Sequence, residues 1–495
     1  MSYSAKIVLG PCYGQVITSK DLLNELRLFF SFETDKRVLE RDRNAKKRDY
    51  YIGADGLFFV GLAGSIYRLL KDIEVQVEVE DRRRIKDLPK EDRILEVIDS
   101  MPFTLRDYQE ECVRVAASRP NGIIHMGTGA GKGVVLASLI DVWDKRTIIP
   151  LKSTDLMDQL RNEVSEYLGI PLEEVGQIGG GRFKPQEITV GIVNSLITKK
   201  GLNFLKGTEV MITDECHNGM SNMYSKVQAG AKKCSIRYGF SATPWQPKRR
   251  TDEGWEECSF DIESRFGPVI YKKSVSDLIQ DGWLSTPRFI FIRGSVDYKD
   301  GNELRDYKDE LPDEIVNNRR RNLMACKITR RLVERGKKVL FFVSRLDHGE
   351  NLYEMLKKLG LDADSIVFAN GQNIISNRKE AISDFKQDVA QVLIGTDPVV
   401  SEGLNFIIDA CFNMSAGRSS KAIIQKSGRI LRKPRASWGD VDRDQHREVL
   451  MFDFFDGEHP VFASQARSRI ETIRKEGLLT ETMSYREAID MVKSS

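Results

Sequence analysis

The chain has 495 residues, of which 41% are apolar and 30% charged, enough for several buried cores and too apolar for wholesale disorder. Lysine and arginine total 76 against 73 acids, a net charge of +3, so bulk charge does not announce a polyanionic partner and any basic surface is local. No apolar run approaches the ~18 residues of a membrane span, the start MSYSAKIVLG lacks the apolar stretch of a signal peptide, and seven cysteines without CxxC spacing beside five scattered histidines argue against a disulfide framework or a structural metal.

Residues 1–98 read as a small α+β domain. LLNELRLFFSF (22–32) has the spacing of a short amphipathic helix, and GLFFVGLAGSIYRLL (56–70) reads as a strand running into a helix. IEVQVEVED (73–81) alternates at period two, the mark of a half-exposed strand. Over residues 99–285 short apolar runs alternate with helical stretches: GIIHM (122–126), TIIPL (147–151), ITVGIV (188–193) and VMITD (210–214). Such runs fit buried strands of a parallel sheet with βα connections. The charged stretch 297–322 marks a linker, set at 286–320. A second series follows in 321–495, with KVLFFV (338–343), SIVFA (365–369), AQVLIG (390–395) and VLMFDF (449–454) as strands and FASQARSRIETIRKEG (462–477) as a helix. The expected fold is α/β, with two tandem parallel-sheet lobes behind a small α+β domain.

GTGAGKG (127–133) lies between a strand and the apolar helix VVLASLIDVW (134–143). A glycine-rich turn there lets backbone N–H groups approach phosphate oxygens, and the helix N-terminus favours negative charge. Thr128, Gly129, Ala130, Gly131, Lys132 and Gly133 form this loop, with Lys132 reaching the β and γ phosphates of ATP. Gly133 stands where such loops carry the Ser or Thr that ligates Mg2+. A water is expected to replace that hydroxyl, so that Gly133→Thr lowers the Mg2+ needed for half-maximal turnover. VMITDECH (210–217) ends a strand in two carboxylates: Asp214 to hold Mg2+ through its water shell and Glu215 to polarise the attacking water.

These residues resemble the superfamily 2 helicases and translocases over 99–456. FTLRDYQEECV (103–113) looks like their adenine-reading segment, with Arg106, Tyr108 and Gln109; GTGAGKG resembles motif I, PLKSTDLMDQL (150–160) motif Ia, DECH motif II and SATP (241–244) motif III. FFVSRLDHGE (341–350) resembles motif IV, VLIGTDPVVSEGLN (392–405) motif V, with Asn405 where many members have Asp, and QKSGRILR (425–432) motif VI. FGPVIYKKSVSDLIQDGWLSTP (266–287) resembles the exit segment of the XPB- and UvsW-like branch. The resemblance implies two RecA-like lobes and an ATP- and Mg2+-dependent motor. It makes Arg429 and Arg432, with Gln425, the finger residues brought to the nucleotide by the second lobe, and Ser241, Thr243 and Gly403 the coupling positions. Arginines at i and i+3 share one helix face, and such a finger is worth about 10³–10⁵ in rate.

Three features point to DNA. The N-terminal segment resembles UvsW-type branch-migration helicases; residues 36–48 hold seven basic and two acidic residues, a local +5; and the spelling DECH differs from the DEAD of the RNA helicases. By the resemblance, Lys152, Ser153, Asn194, Ser344, Arg345 and Thr396 contact the DNA backbone, which moves the motor without reading bases. Lys248, Arg249 and Arg250 form a further basic cluster, and Trp245, Trp255 or Phe260 is a candidate base-stacking wedge. The expected substrate is branched or forked DNA, and the expected state a cytoplasmic monomer (host cytoplasm for a viral protein). The alternatives are an RNA helicase, a restriction-type duplex translocase, and a DNA-binding module with a weak, degenerate ATPase.

Overall fold

The structure is a computed structural model that describes the chain apart from residues 1–3, 34–47, 84, 86–87, 219–221, 243, 245–247, 252–253, 258–259, 295–314, 370–382, 386, 397–406, 416–429, 432, 434–445, 458, 476 and 495. The chain forms two compact units, Met1–Gly127 with Gly131–Lys273, and Ser274–Ser495 with Thr128–Ala130. Among the described residues no helix is long and apolar enough to cross a membrane.

The first unit begins with a sheet ordered Leu57–Phe59, Tyr13–Ile17, Ser4–Leu9, Gln76–Asp81, whose last pair is parallel. Its helices bury Leu22, Leu26, Ile66 and Leu70 against it. The first helix runs Lys20–Phe29, because the Ser19 hydroxyl accepts the Leu22 N–H and sets its start. The next residues, Ser31–Glu33, pair as a strand with Arg48–Tyr50. Of the basic run 36–48, only Arg48 lies within the described residues.

Phe260 fastens this domain to the first lobe. Its ring lies 5.0 Å from Phe30 and 6.0 Å from Tyr51. It is thus a packing residue between two parts of one unit, which corrects its candidacy as a base-stacking wedge. Trp245 and the Trp255 side chain lie outside the described residues. Arg265 sits 5.0 Å from the Phe59 ring. At Gly61 an added Cβ would come within 2.1 Å of the Glu263 carbonyl oxygen, so only glycine allows this approach.

The first lobe holds a sheet ordered Arg182–Lys184, Val175–Gly179, Ile188–Ile192, Thr147–Leu151, Val210–Thr213, Ile236–Ser241, Asn121–Met126, Val269–Lys273. All neighbours are parallel except the first pair. The apolar runs read from the sequence are its central strands, buried from both faces as parallel strands require. Lys248–Thr251 and Gly254–Glu257 form a separate hairpin that opposes Arg250 to Trp255.

The second unit carries an entirely parallel sheet ordered Ile366–Ala369, Val392–Thr396, Val339–Val343, Ala410–Asn413, Glu448–Phe455, Thr286–Arg293, Thr480–Met483. Thr286–Arg293 corrects the linker expectation, since the front of 286–320 is a strand paired along its length with Glu448–Phe455. Its centre, Phe289–Ile292, is buried, and the flanking Arg288 and Arg293 made it look polar. At the far end, Arg319–Val333 is a helix started by the Asn318 side chain.

Candidate active site

The phosphate loop is shaped by its glycines. Gly129 and Gly131 adopt φ of 90° and 75°, the left-handed region open to glycine. Gly131 is also the N-cap of the helix Lys132–Trp143, and a Cβ there would meet Gln109 Nε2 at 2.4 Å. Left-handed backbone and close contact thus both require glycine, and they place Gln109 beside the loop. Gln109 is held in turn: its Oε1 accepts the Arg106 N–H at 3.0 Å, while Arg106 Nη1 donates to the Tyr108 hydroxyl at 2.8 Å. The helix behind the loop buries residues on every side, from Val134 to Trp143, so its position is fixed by packing. Its first N–H groups have no intrahelical acceptors and are a ready anion site.

The second part of the site stands at the end of the buried strand Val210–Thr213. Asp214 Oδ1 accepts the Glu215 N–H at 2.9 Å, and Glu215 has φ +47°, a strained value for a residue with a side chain. This turn brings Glu215 Oε1 to 3.3 Å from Lys132 Nζ, across 83 positions of sequence. Burial, reinforced by the neighbouring Glu215 charge, pushes the Asp214 carboxyl up, and the Lys132 ammonium opposes the shift. Two carboxylates facing one ammonium leave negative charge at the strand end. Among the described residues no group of three ligating side chains stands ready to hold a metal. Two adjacent carboxylates at a strand end fit Mg2+, which binds through one or two carboxylates and takes its other ligands from phosphates and water.

His217 links this pair to the next motif. Its Nδ1 lies 3.4 Å from Glu215 Oε2 and 2.9 Å from Ser241 Oγ. Ser241 is a coupling position by the resemblance, and His217 is the contact that joins it to Glu215, which the sequence alone does not show. Thr243, Gly403, Asn405, Gln425, Arg429 and Arg432 lie outside the described residues.

Gly133 is not an open position. A Cβ there would come 2.9 Å from the Tyr167 ring and 3.4 Å from Glu163 Oε2. Gly133→Thr therefore cannot enter without displacing that ring, which corrects the expectation that threonine simply restores a ligand.

Of the expected DNA contacts, Lys152, Asn194, Ser344 and Arg345 are exposed and Thr396 is buried at the end of its strand. Ser153 caps the helix Thr154–Leu168, its hydroxyl accepting the Leu156 N–H. Arg345 is engaged by Asp347, with Nη2 2.8 Å from Oδ2.

Residues 102–246 match the family described as type III restriction enzyme, res subunit, and residues 321–434 the helicase conserved C-terminal domain. The chain is 22% identical over 433 residues to the ATP-dependent DNA helicase uvsW of Enterobacteria phage T4, covering 83% of this chain and 84% of that protein. It is 34% identical over 192 residues to the DNA 3'-5' translocase XPB2 of Sulfurisphaera tokodaii, a match spanning 37% of this chain and 40% of that relative. The solved structure of S. cerevisiae Dbp5 bound to RNA and ADP BeF3 aligns with a TM-score of 0.54 over 81% of this chain and 96% of that one, at 14% identity, and so shares the fold. The chain belongs to the superfamily 2 helicases: an ATP-dependent helicase enzyme with RecA-like lobes. Within that class it is of the UvsW and XPB type.

Proposed function

We propose that the protein is a DNA motor that remodels branched DNA, driving Holliday-junction migration and unwinding forks or D-loops in recombination, repair and replication. The observation that carries the reading is the contact of Lys132 with Glu215 at 3.3 Å, extended by His217 to Ser241. The similarity to the phage DNA helicase uvsW and the DNA translocase XPB2 supports DNA as the track. In this reading the loop 127–133 and Lys132 hold the phosphates of ATP, and Gln109 and Arg106 sit at the adenine. Asp214 would hold Mg2+, and the ion would supply neutralisation of phosphate charge. Glu215 orients the attacking water and accepts its proton, with the Lys132 ammonium 3.3 Å away. His217 carries a change at Glu215 to Ser241. Arg429, Arg432 and Gln425 supply the finger, with Thr243 and Gly403 in the coupling path. The protein acts as a cytoplasmic monomer, and Lys152, Ser153, Asn194, Ser344, Arg345 and Thr396 follow the phosphate backbone.

The test is ATPase stimulation compared across single-stranded DNA, duplex DNA, a four-way junction and RNA. The junction should stimulate most. Stimulation by RNA alone favours an RNA helicase, and turnover unmoved by any nucleic acid favours a binding module.

A further inference from the structure

The substitution of glycine for the usual hydroxyl residue at position 133 leaves the loop one oxygen short. What fills the space comes from another element. The helix Thr154–Leu168 packs along the helix Lys132–Trp143 and presents Gln159, Glu163 and Tyr167 at successive i, i+4 positions, one face of a helix. Tyr167 is 8% exposed and braced edge-on by Phe103 at 5.7 Å. Its ring lies 2.9 Å from where a Cβ at 133 would be. A hydroxyl on residue 133 would sit one bond beyond that Cβ, and Glu163 Oε2 already lies 3.4 Å from the Cβ position. The carboxylate is oriented, because Gln159 Nε2 donates to its other oxygen at 2.7 Å.

We propose that the Glu163 carboxylate supplies, in the Mg2+–nucleotide complex, the oxygen that the phosphate loop lacks at Gly133. The metal shell is then completed from the helix Thr154–Leu168 and not from the loop. An anionic oxygen from a neighbouring helix stands in for a neutral hydroxyl of the loop, and a carboxylate is the ligand that Mg2+ accepts most readily from protein. Tyr167 keeps position 133 clear, so glycine, tyrosine and glutamate act as one exchange: the side chain is removed from the loop and its oxygen returned from a neighbouring helix. This rests on the nucleotide-site part of the reading above and not on the DNA part.

The test is metal binding, read without turnover. Mn2+ is titrated into the full-length protein with saturating ADP, and the free aqua ion is followed by electron paramagnetic resonance. Glu163→Gln keeps the shape and the Gln159 contact, and should weaken Mn2+ binding about 10–100-fold, the usual effect of removing a group that supports a metal ligand set. ADP affinity in excess chelator and the melting temperature should stay unchanged. Glu163→Asp, which shortens the reach, should weaken the metal as well and serves should Glu163→Gln fold poorly. Glu166→Gln, on an exposed position of the same helix, should leave Mn2+ affinity untouched. Wild-type Mn2+ affinity in Glu163→Gln overturns the proposal and returns the position to water. Failure of wild-type protein to bind ADP at all overturns the nucleotide site together with it.

Discussion

Each lobe sets acidic residues at the end of a buried strand, and the two sets are finished differently. In the second lobe Asp453 and Asp456 each have an arginine of their own. Asp453 takes a two-pronged contact from Arg469, both N–O distances 2.9 Å, and a further hydrogen bond from Asn413 at 2.9 Å. Asp456 meets Arg321 Nη1 at 2.6 Å, and that guanidinium lies 4.1 Å from the Phe454 ring centre. In the first lobe Asp214 and Glu215 share Lys132. An arginine for each acid holds a fold in place; two acids that crowd one lysine suit the approach of a cation and a phosphate. Glu215 also carries left-handed backbone, which neither Asp453 nor Asp456 does.

The largest effects come from unmatching the matched set. Arg321→Met leaves Asp456 as a buried, uncompensated charge and should cost about 3–5 kcal/mol of stability in denaturant melts. Lys132→Ala, on the unmatched side, should leave the fold in place and lower kcat by about 10²–10³-fold, measured as ATP turnover. Acid should separate the lobes further. Burial and the nearby Arg321 push the His348 imidazole down to about 3, while its Nε2 stays 2.9 Å from Asn322 Oδ1. Its folded value lies below its unfolded one, so the stability linked to its neutral form is complete above the unfolded pKa near 6.5 and is lost as pH falls below it. Asp214 has the opposite sign. Its folded value is raised, so its charge costs stability at neutral pH and that cost disappears on acidification. Asp214→Asn should therefore raise the melting temperature of metal-free protein at pH 8 by a few degrees and do nothing at pH 4. The smallest effect belongs to Arg345→Ala. Its ion pair with Asp347 is exposed, so stability should barely change, and any loss of DNA affinity would report a backbone contact.

How much of this was legible follows from what each residue needs. Lys132, Asp214 and Glu215 announce themselves because their chemistry demands neighbours close in sequence: glycines before the lysine and an apolar strand before the acids. The buried strands Thr147–Leu151 and Val210–Thr213 were readable for the same reason. Thr286–Arg293 was not, because its arginines merge with the charged run that follows. Glu163 and Tyr167 could not be found from spacing, since they lie on an ordinary amphipathic helix and gain their meaning only when it packs over Gly133. His217 was visible as a letter of a motif, but its contact with Ser241 joins two strands that fold side by side.

The central claim is that the paired carboxylates and Lys132 drive chemistry on ATP. Glu215→Gln tests it most directly, with nucleotide binding, DNA binding and turnover measured on one preparation. The account predicts wild-type affinities with turnover reduced about 10²–10⁴-fold. Full turnover by Glu215→Gln would contradict it.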